Sequence, residues 1–186
     1  VDIFDSDMDA VREPEKIIQA LKGLHCQYGI YGVCGNHDVE EKIIAGFSAS
    51  PKKDAFRDPR MTSFLAAAGI TILDDQIVSL DGGNFYLAGR KDGIKAGDGT
   101  KNRKSIPQLL SGIDEKAPLI VIEHEPNELA ALAQRGADLV LSGHTHGGQM
   151  FPITLVTGLF WQNPYGMIEQ NGMTSIVTSG VGTYGP

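Results

Sequence analysis

The chain has 186 residues, a length that fits one domain with a sizeable buried core. Its hydrophobic share of 41% and charged share of 21% are ordinary for a globular domain. The formal net charge of −7 argues against a general nucleic-acid or anionic membrane surface, because both depend on clustered Lys and Arg. The two cysteines, Cys26 and Cys34, form no C-x-x-C pair, so we expect reduced thiols rather than a disulfide framework.

The termini carry no targeting or membrane-spanning signal. No apolar run reaches the roughly 18 residues that a membrane helix needs, and no basic start precedes an apolar stretch as in a signal peptide. The chain begins at Val1, without methionine, and its last residues follow a strand-like run directly. We therefore expect residues 1–186 to form a single domain that is truncated at the N-terminus and at the C-terminus. The location of this fragment stays unknown.

The N-terminal half is predicted to mix helices and strands. Apolar residues at helical spacing, an N-cap followed by proline, and apolar runs bounded by turn residues provide the signals. We predict a helix over 10–22, a buried strand over 28–34, a surface loop over 42–58, a helix over 58–69, and a strand, turn and strand over 71–80, 81–83 and 84–89.

The C-terminal half continues this alternation. We predict a charged loop over 90–104, helices over 105–113 and 127–136, and strands over 118–126, from 138 onward and over 174–180. Several strands are continuously apolar, which is typical of strands buried on both faces of a sheet that helices cover. The predicted fold class is therefore α/β: a sandwich of mixed β-sheets flanked by helices, with antiparallel pairing at the 71–89 hairpin.

Four of the five histidines follow predicted strands directly. They are His37, in the stretch Asn36-His37-Asp38, and His124, His144 and His146. In open α/β sheets the carboxyl ends of the strands share one edge, where ligands bind. Residues that are far apart in sequence are therefore expected to converge.

These residue types favour a metal site. Imidazole and carboxylate groups together bind borderline divalent metals such as zinc, iron or manganese. The amide of Asn36 would add a ligand without adding negative charge, which suits a site that accepts an anion. For the fifth histidine, His25, we expect a structural role.

Three motifs resemble the successive signatures of the calcineurin-like metallophosphoesterases: "GNHD" at 35–38, the His124 of "EHEP", and "GHTH" at 143–146. The longer strings "SGHTHGGQ" and "TSGVGTYGP" resemble a bacterial, membrane-associated subgroup of that family. The resemblance implies a metal-dependent phosphoesterase. Such an enzyme hydrolyses a phosphomonoester or phosphodiester through a dinuclear metal centre with a bridging hydroxide nucleophile. A non-catalytic binding scaffold with the same fold is the alternative.

The resemblance also implies roles for individual residues. "VDIFD" is similar to the family's G-D-x-x-D signature, although Val1 stands where the family has glycine. The implied metal ligands are Asp2, which bridges both metals, then Asn36, His124 and His144 for one metal and His146 for the other. His37 is implied to face the phosphate as a catalytic residue, with Asp38 orienting it.

One family signature is absent from this chain. The family begins with an Asp-x-His at the end of its first strand, and this motif supplies two ligands to the metal that His146 serves. No Asp-x-His precedes Asp2. We therefore expect two divalent ions (Mn, Fe or Zn) in the complete protein, at most one of them well held by this fragment, and impaired hydrolysis. A missing first strand would also expose a sheet edge, through which copies of the chain could associate.

The apolar segment 150–161 has two interpretations that the sequence leaves open. It fits a core segment or strand, and it also fits an apolar lip for a lipid-like substrate or a membrane contact. The implied partners are thus a phosphoester, with lipid-like phosphoesters included, and no nucleic acid. For the full-length protein, the resemblance leaves open both a membrane-associated and a cytoplasmic location.

Overall fold

The structure is a computed structural model. It describes residues 4, 6–41, 43–44, 47–48, 56–99, 102–147 and 157–180, with only the backbone described at 43–44, 47–48 and 157. The helices in the described part are α1 Pro14–Lys22, α2 Pro59–Ala67, α3 Ile106–Leu109, α4 Leu129–Gln134 and α5 Thr157–Phe160. The strands there are β1 Ile30–Gly32, β2 Ile43–Ile44, β3 Phe47–Ser48, β4 Ile70–Ile72, β5 Gln76–Leu80, β6 Phe85–Gly89, β7 Leu119–Ile122, β8 Leu139–Ser142, β9 Gly166–Gln170 and β10 Met173–Val177.

The main sheet, as far as it is described, has six strands in the order β5-β6-β7-β8-β10-β9. Its four central strands run parallel, and the edge strands β5 and β9 are antiparallel to their neighbours. A mixed sheet with helices confirms the predicted α/β class. Because β7 and β8 are adjacent and parallel, the turns that follow them lie at the same edge of the sheet.

A smaller sheet faces the main one. It pairs β1 with β4 in parallel, whereas β2 and β3 form a separate antiparallel pair. A cavity of about 280 Å³ lies between the small sheet and the β7–β8 part of the main sheet, lined on one side by Ile30, Ile70 and Ile72 and on the other by Ile122 and Leu141. The turn after β1 therefore lies near the turns after β7 and β8.

Two hydrophobic clusters hold these layers in place. One lies under α3 and α4 on the main sheet, where Val121, Leu129, Leu132 and Val140 are all fully buried. The other lies under α1 and α2 beside the small sheet. In it the ring of Phe4 packs edge-on against the ring of Phe64, with centroids 5.4 Å apart. Burial of this apolar surface provides most of the driving force for folding.

The predicted strand over 71–80 is wrong as one element. The chain leaves the small sheet after β4, turns at Leu73–Asp75 and enters the main sheet as β5. Asp75 takes a left-handed φ of 52°. Its carboxylate accepts hydrogen bonds from the backbone N–H of Lys91 (3.0 Å) and of Lys104 (2.7 Å). The apolar run is continuous in sequence, but these bonds divide it between two sheets.

Other predicted bounds change at the ends. The first helix begins at Pro14, because Glu13 before it has a φ of 51°. The predicted cap of the second helix is confirmed, since the Asp58 side chain accepts from Arg60 N–H. Strand β9 was not predicted. The predicted loop over 42–58 lies largely outside the described residues, although β2 and β3 fall inside it. No helix in the described ranges has the length and apolarity needed to cross a membrane.

Gly89 provides a test of how closely the two sheets approach. A Cβ added there would lie 2.7 Å from the backbone oxygen of Leu73, a contact that backbone atoms cannot relieve cheaply. We expect Gly89→Ala to lower the free energy of unfolding by about 1–3 kcal/mol in urea denaturation. The control is Gly158→Ala, because no atom lies within 4 Å of the added Cβ there. Equal stability of the two variants would contradict the close approach.

Candidate metal centre

The turn after β1 carries Asn36, His37 and Asp38. The Asp38 carboxylate is 3% exposed. It accepts hydrogen bonds from Gly35 N–H at 2.8 Å and from Phe4 N–H at 3.0 Å. The same residue's N–H donates to the Gly35 carbonyl at 3.1 Å. Asp38 therefore closes the turn on itself and ties it to the N-terminal segment, which fixes the position of the neighbouring Asn36.

His124 lies two residues beyond the end of β7 and is only 2% exposed. Its carbonyl accepts a hydrogen bond from Gly143 N–H at 3.0 Å. This bond joins the turn after β7 to the turn after β8, beyond the last pair of the sheet ladder. The parallel pairing of the two strands is thus extended into the loops that hold the histidines.

The Gly143-His144-Thr145-His146 turn has an unusual backbone. His144 has a φ of 68° and His146 a φ of 50°, whereas left-handed conformations are uncommon outside glycine. Gly147 follows with a φ of 63°. The turn is therefore not an extended one. Such residues cost about 1–3 kcal/mol each and cluster at functional sites, where the surrounding structure holds them in place.

Asn36, His124 and His144 bring three polar atoms together. His124 Nε2 lies 2.8 Å from Asn36 Oδ1 and 2.9 Å from His144 Nδ1. The third side of the triangle, from His144 Nδ1 to Asn36 Oδ1, is 3.0 Å. These atoms come from three loops, with 88 residues separating Asn36 from His124 and 20 separating His124 from His144. The predicted convergence of these three side chains is therefore observed.

This triangle suits a divalent cation. Adjacent ligands about 2.1 Å from an octahedrally coordinated ion are about 3.0 Å apart, which matches the three distances. Three hydrogen bonds among these atoms fit less well, because the amide oxygen has no hydrogen to donate and each neutral imidazole has a single N–H for its two ring nitrogens. No group of three His, Cys, Asp or Glu side chains suited to an ion occurs in the described ranges. The triangle contains only two such side chains, those of His124 and His144, and its third possible metal ligand is the amide oxygen of Asn36.

Two residues that the sequence analysis did not single out surround His144. Its Nε2 lies 3.7 Å from Oε1 of Glu125, a carboxylate that is 3% exposed and accepts from Asn127 Nδ2 at 2.8 Å. A carboxylate behind a histidine favours the tautomer whose other nitrogen can bind a metal. On another side, the Trp161 ring packs edge-on against the His144 ring, with centroids 5.3 Å apart. Only Glu125 had a sequence signal, as the neighbour of His124 in "EHEP".

A buried ionic network lies behind His124. The fully buried Arg90 donates to Glu123 Oε2 at 2.7 Å and to Glu128 Oε2 at 2.6 Å, and Arg103 donates to the same Glu128 oxygen at 2.6 Å. Burial raises the pKa of Glu123 to about 7, although both guanidinium groups oppose the rise. The Arg90 hydrogen bond lowers the pKa of Glu128. Glu123 directly precedes His124, so this network anchors the turn from inside.

The remaining predicted residues have more varied positions. His37 Nδ1 lies 3.3 Å from Ser6 Oγ, and Ser6 N–H donates to the His37 carbonyl at 2.9 Å. His146 lies two residues beyond His144 in the strained turn and is partly buried. Asp2 lies outside the described residues. Asn36, His124 and His144 lie close together, but the assignment of any of the predicted residues to a metal or catalytic role stays a prediction: Asp2, Asn36, His37, Asp38, His124, His144 and His146.

The profile of the calcineurin-like phosphoesterase family matches residues 2–148. The chain therefore belongs to the calcineurin-like phosphoesterase family, as the sequence motifs suggested. At the level of the family, this membership indicates a metal-dependent hydrolase of phosphoesters. No solved structure matches the chain significantly.

Individual relatives agree with this assignment. An uncharacterised metallophosphoesterase of Helicobacter pylori is 29% identical over 99% of this chain and 45% of its own length. One of Aquifex aeolicus is 31% identical over 91% of this chain and 59% of its own length. A transmembrane protein with metallophosphoesterase domain of Danio rerio is 26% identical over 99% of this chain. The chain spans 40% of that last relative and less than half of the first.

The role of Asp38 in holding the turn after β1 can be tested by measuring stability. In Asp38→Asn, one of the two buried backbone N–H groups would face an amide NH₂ instead of an oxygen. Leaving a buried donor unsatisfied costs about 1–3 kcal/mol, so we expect that loss in urea denaturation. Asp114→Asn is the matched control, because Asp114 also accepts a turn N–H, from Lys116, but is exposed. If Asp38→Asn lowers the free energy of unfolding no more than the control does, the Asp38 carboxylate does not hold the turn.

Proposed function

We propose that this chain is the catalytic domain of a metal-dependent phosphoesterase that acts through a two-ion centre. The observation that carries the proposal is the triangle of Asn36 Oδ1, His124 Nε2 and His144 Nδ1, with sides of 2.8–3.0 Å. Family membership supports the reaction class. Substrate, metal identity and the number of ions are parts of the proposal.

In this proposal, Asn36, His124 and His144 hold one ion together with Asp2. His146 and Asp2 would contribute to the second ion. Divalent ions, when bound, supply Lewis-acid polarisation of a phosphate ester and activation of water. None of the three clustered donors carries a negative charge while the histidines are neutral. A divalent ion held there therefore keeps much of its positive charge for an anionic substrate.

His37 is proposed as the proton carrier. It shares its turn with Asn36, so its ring lies close to any phosphate held beside Asn36. Ser6 Oγ at 3.3 Å from Nδ1 orients the ring. A protonated imidazole can stabilise developing negative charge and donate its proton to the departing oxygen of the ester. Asp38, the next residue, would orient His37 by holding the turn through its buried hydrogen bonds.

Membrane association of the full-length protein is part of the proposal. It is supported by the Danio rerio relative, whose name describes a transmembrane protein, and by the resemblance of the terminal motifs to membrane-associated bacterial relatives.

The metal centre can be tested with the single tryptophan of the chain. Trp161 packs on His144, so a paramagnetic Mn²⁺ ion bound at the triangle should quench its fluorescence. We expect saturable quenching in the wild-type chain and at least tenfold weaker Mn²⁺ binding in His124→Ala and Asn36→Ala. The control is His25→Ala, which removes an exposed histidine. Equal Mn²⁺ affinity in all four proteins would rule out a metal site at the triangle.

Hydrolysis tests the role of His37. With Mn²⁺ and bis(p-nitrophenyl) phosphate, we expect slow, metal-dependent release of p-nitrophenol. With an alkyl phosphoester, whose leaving oxygen needs a proton, His37→Ala should lower kcat by about 100-fold or more, the usual contribution of a positioned proton donor, while Mn²⁺ quenching of Trp161 persists. Undiminished turnover in His37→Ala would exclude it as the proton donor. Metal binding without turnover on any phosphoester would favour the non-catalytic scaffold.

A further inference from the structure

We propose that an exposed surface beside the metal centre binds the apolar chain of the substrate, so that the substrate class is a phosphoester with a long alkyl or acyl group. This surface, the apolar rim, consists of Leu159, Phe160, Tyr165 and Met167. The proposal rests on the proposed function, because it assumes that the phosphate of the same molecule binds at the metal centre.

The exposure of these side chains is high for their size and type. Leu159 is 82% exposed, Phe160 76%, Met167 67% and Tyr165 61%. A single exposed apolar residue needs no explanation, but four large ones within nine residues of sequence are more than chance exposure accounts for, and clustered exposed apolar side chains mark interaction sites. From the sequence, the segment 150–161 was open between core and lip, and its residues 150–156 lie outside the described residues. At Leu159 and Phe160 the exposure contradicts the core interpretation.

The rim is anchored to the sheet. Asn163, in the middle of the segment, is fully buried, and its Nδ2 donates to the Ser175 carbonyl at 3.0 Å on strand β10. The next residue, Pro164, accepts a hydrogen bond of 2.6 Å from Thr145 Oγ1 in the histidine turn. The backbone between Phe160 and Tyr165 is therefore held in place. Because these hydrogen bonds fix the backbone, the exposed apolar side chains on either side of it cannot turn inward to become buried.

The rim is continuous with the metal centre. Trp161 follows Phe160 and packs on the ring of His144. On the other side of the turn, Tyr165 lies so close to Gly147 that a Cβ added to the glycine would be 3.5 Å from Tyr165 Cδ2. A molecule whose phosphate lies beside His144 thus has apolar side chains within reach of the rest of its structure.

Charge favours a substrate chain over an anionic bilayer as the occupant. Residues 157–177 contain no Lys or Arg and one acidic residue, Glu169. Binding to an anionic membrane depends on basic residues near the surface. An uncharged rim next to a cation site instead matches an amphiphile with one anionic group and one apolar chain.

The test measures how affinity depends on chain length. Dodecyl phosphate and butyl phosphate, both below the micellar concentration, are titrated by calorimetry into the Mn²⁺-loaded chain. Burying one methylene is worth about 0.8 kcal/mol, so two buried methylenes give about a tenfold difference. We expect dodecyl phosphate to bind at least tenfold more tightly. In a parallel titration with diamagnetic Zn²⁺ in place of Mn²⁺, Trp161 emission should shift to shorter wavelength as the alkyl chain covers the rim.

Variants separate the rim from nonspecific adsorption. Leu159→Ser/Phe160→Ser should reduce the affinity ratio of dodecyl to butyl phosphate to below threefold. Leu24→Ser is the matched control, because Leu24 is 53% exposed at the end of α1, and it should keep the wild-type ratio. Phe160→Ser alone should give an intermediate ratio, and it covers the case in which the double variant does not fold.

Several results would overturn the inference. They are equal affinity for the two phosphates, an unchanged ratio in the rim variants, binding to phosphatidylcholine vesicles that matches the dodecyl phosphate affinity, or burial of the rim by a second copy as protein concentration rises. Failure of the proposed function would look different. In that case Mn²⁺ would not quench Trp161 and butyl phosphate would not bind, whereas failure of the inference leaves both intact and removes only the chain-length effect.

Discussion

The candidate site depends on the meeting of three polar side-chain atoms from three separate loops. Asn36 Oδ1, His124 Nε2 and His144 Nδ1 approach within 3.0 Å in a partly buried position. Parallel pairing of β7 and β8 achieves most of this, because their register opposes Ile122 to Leu141 and so places the two histidine turns side by side. The small sheet supplies the third atom from the opposite side of the cavity.

The elements around this triangle hold its three loops in place. Buried hydrogen bonds to Asp38 hold the asparagine turn, and the Gly143–His124 backbone bond holds the other two turns together. The left-handed φ of His144 shows that its backbone, too, is held in a conformation that is unfavourable for a residue other than glycine. The buried clusters on both sides support the strands that carry these turns. A site preorganised in this way needs little rearrangement to bind a cation.

The sequence predicted the parts that follow from strand periodicity. Histidines directly after apolar strands had to meet at one sheet edge, and His124 and His144 do. The turn at Leu73–Asp75, which separates β4 from β5, could not be predicted. Both halves of the run are apolar, and the turn is defined by hydrogen bonds from the backbone of Lys91 and Lys104, which are distant in sequence. The contact of Trp161 with His144 could not be predicted either, since the two segments are joined by a hydrogen bond between Thr145 and Pro164 that leaves no signal in the sequence.

The distribution of charge around the centre bears on the proposal that an acidic chain binds a phosphate. The chain has a net charge of −7, yet the network behind His124 balances Arg90 and Arg103 against Glu123 and Glu128. The three donors in front of it are neutral when the histidines are unprotonated. In the proposed metal centre, a bound divalent ion would lie between this network and the uncharged rim. Trp161, which packs on His144 and follows Phe160 of the rim, would lie next to both.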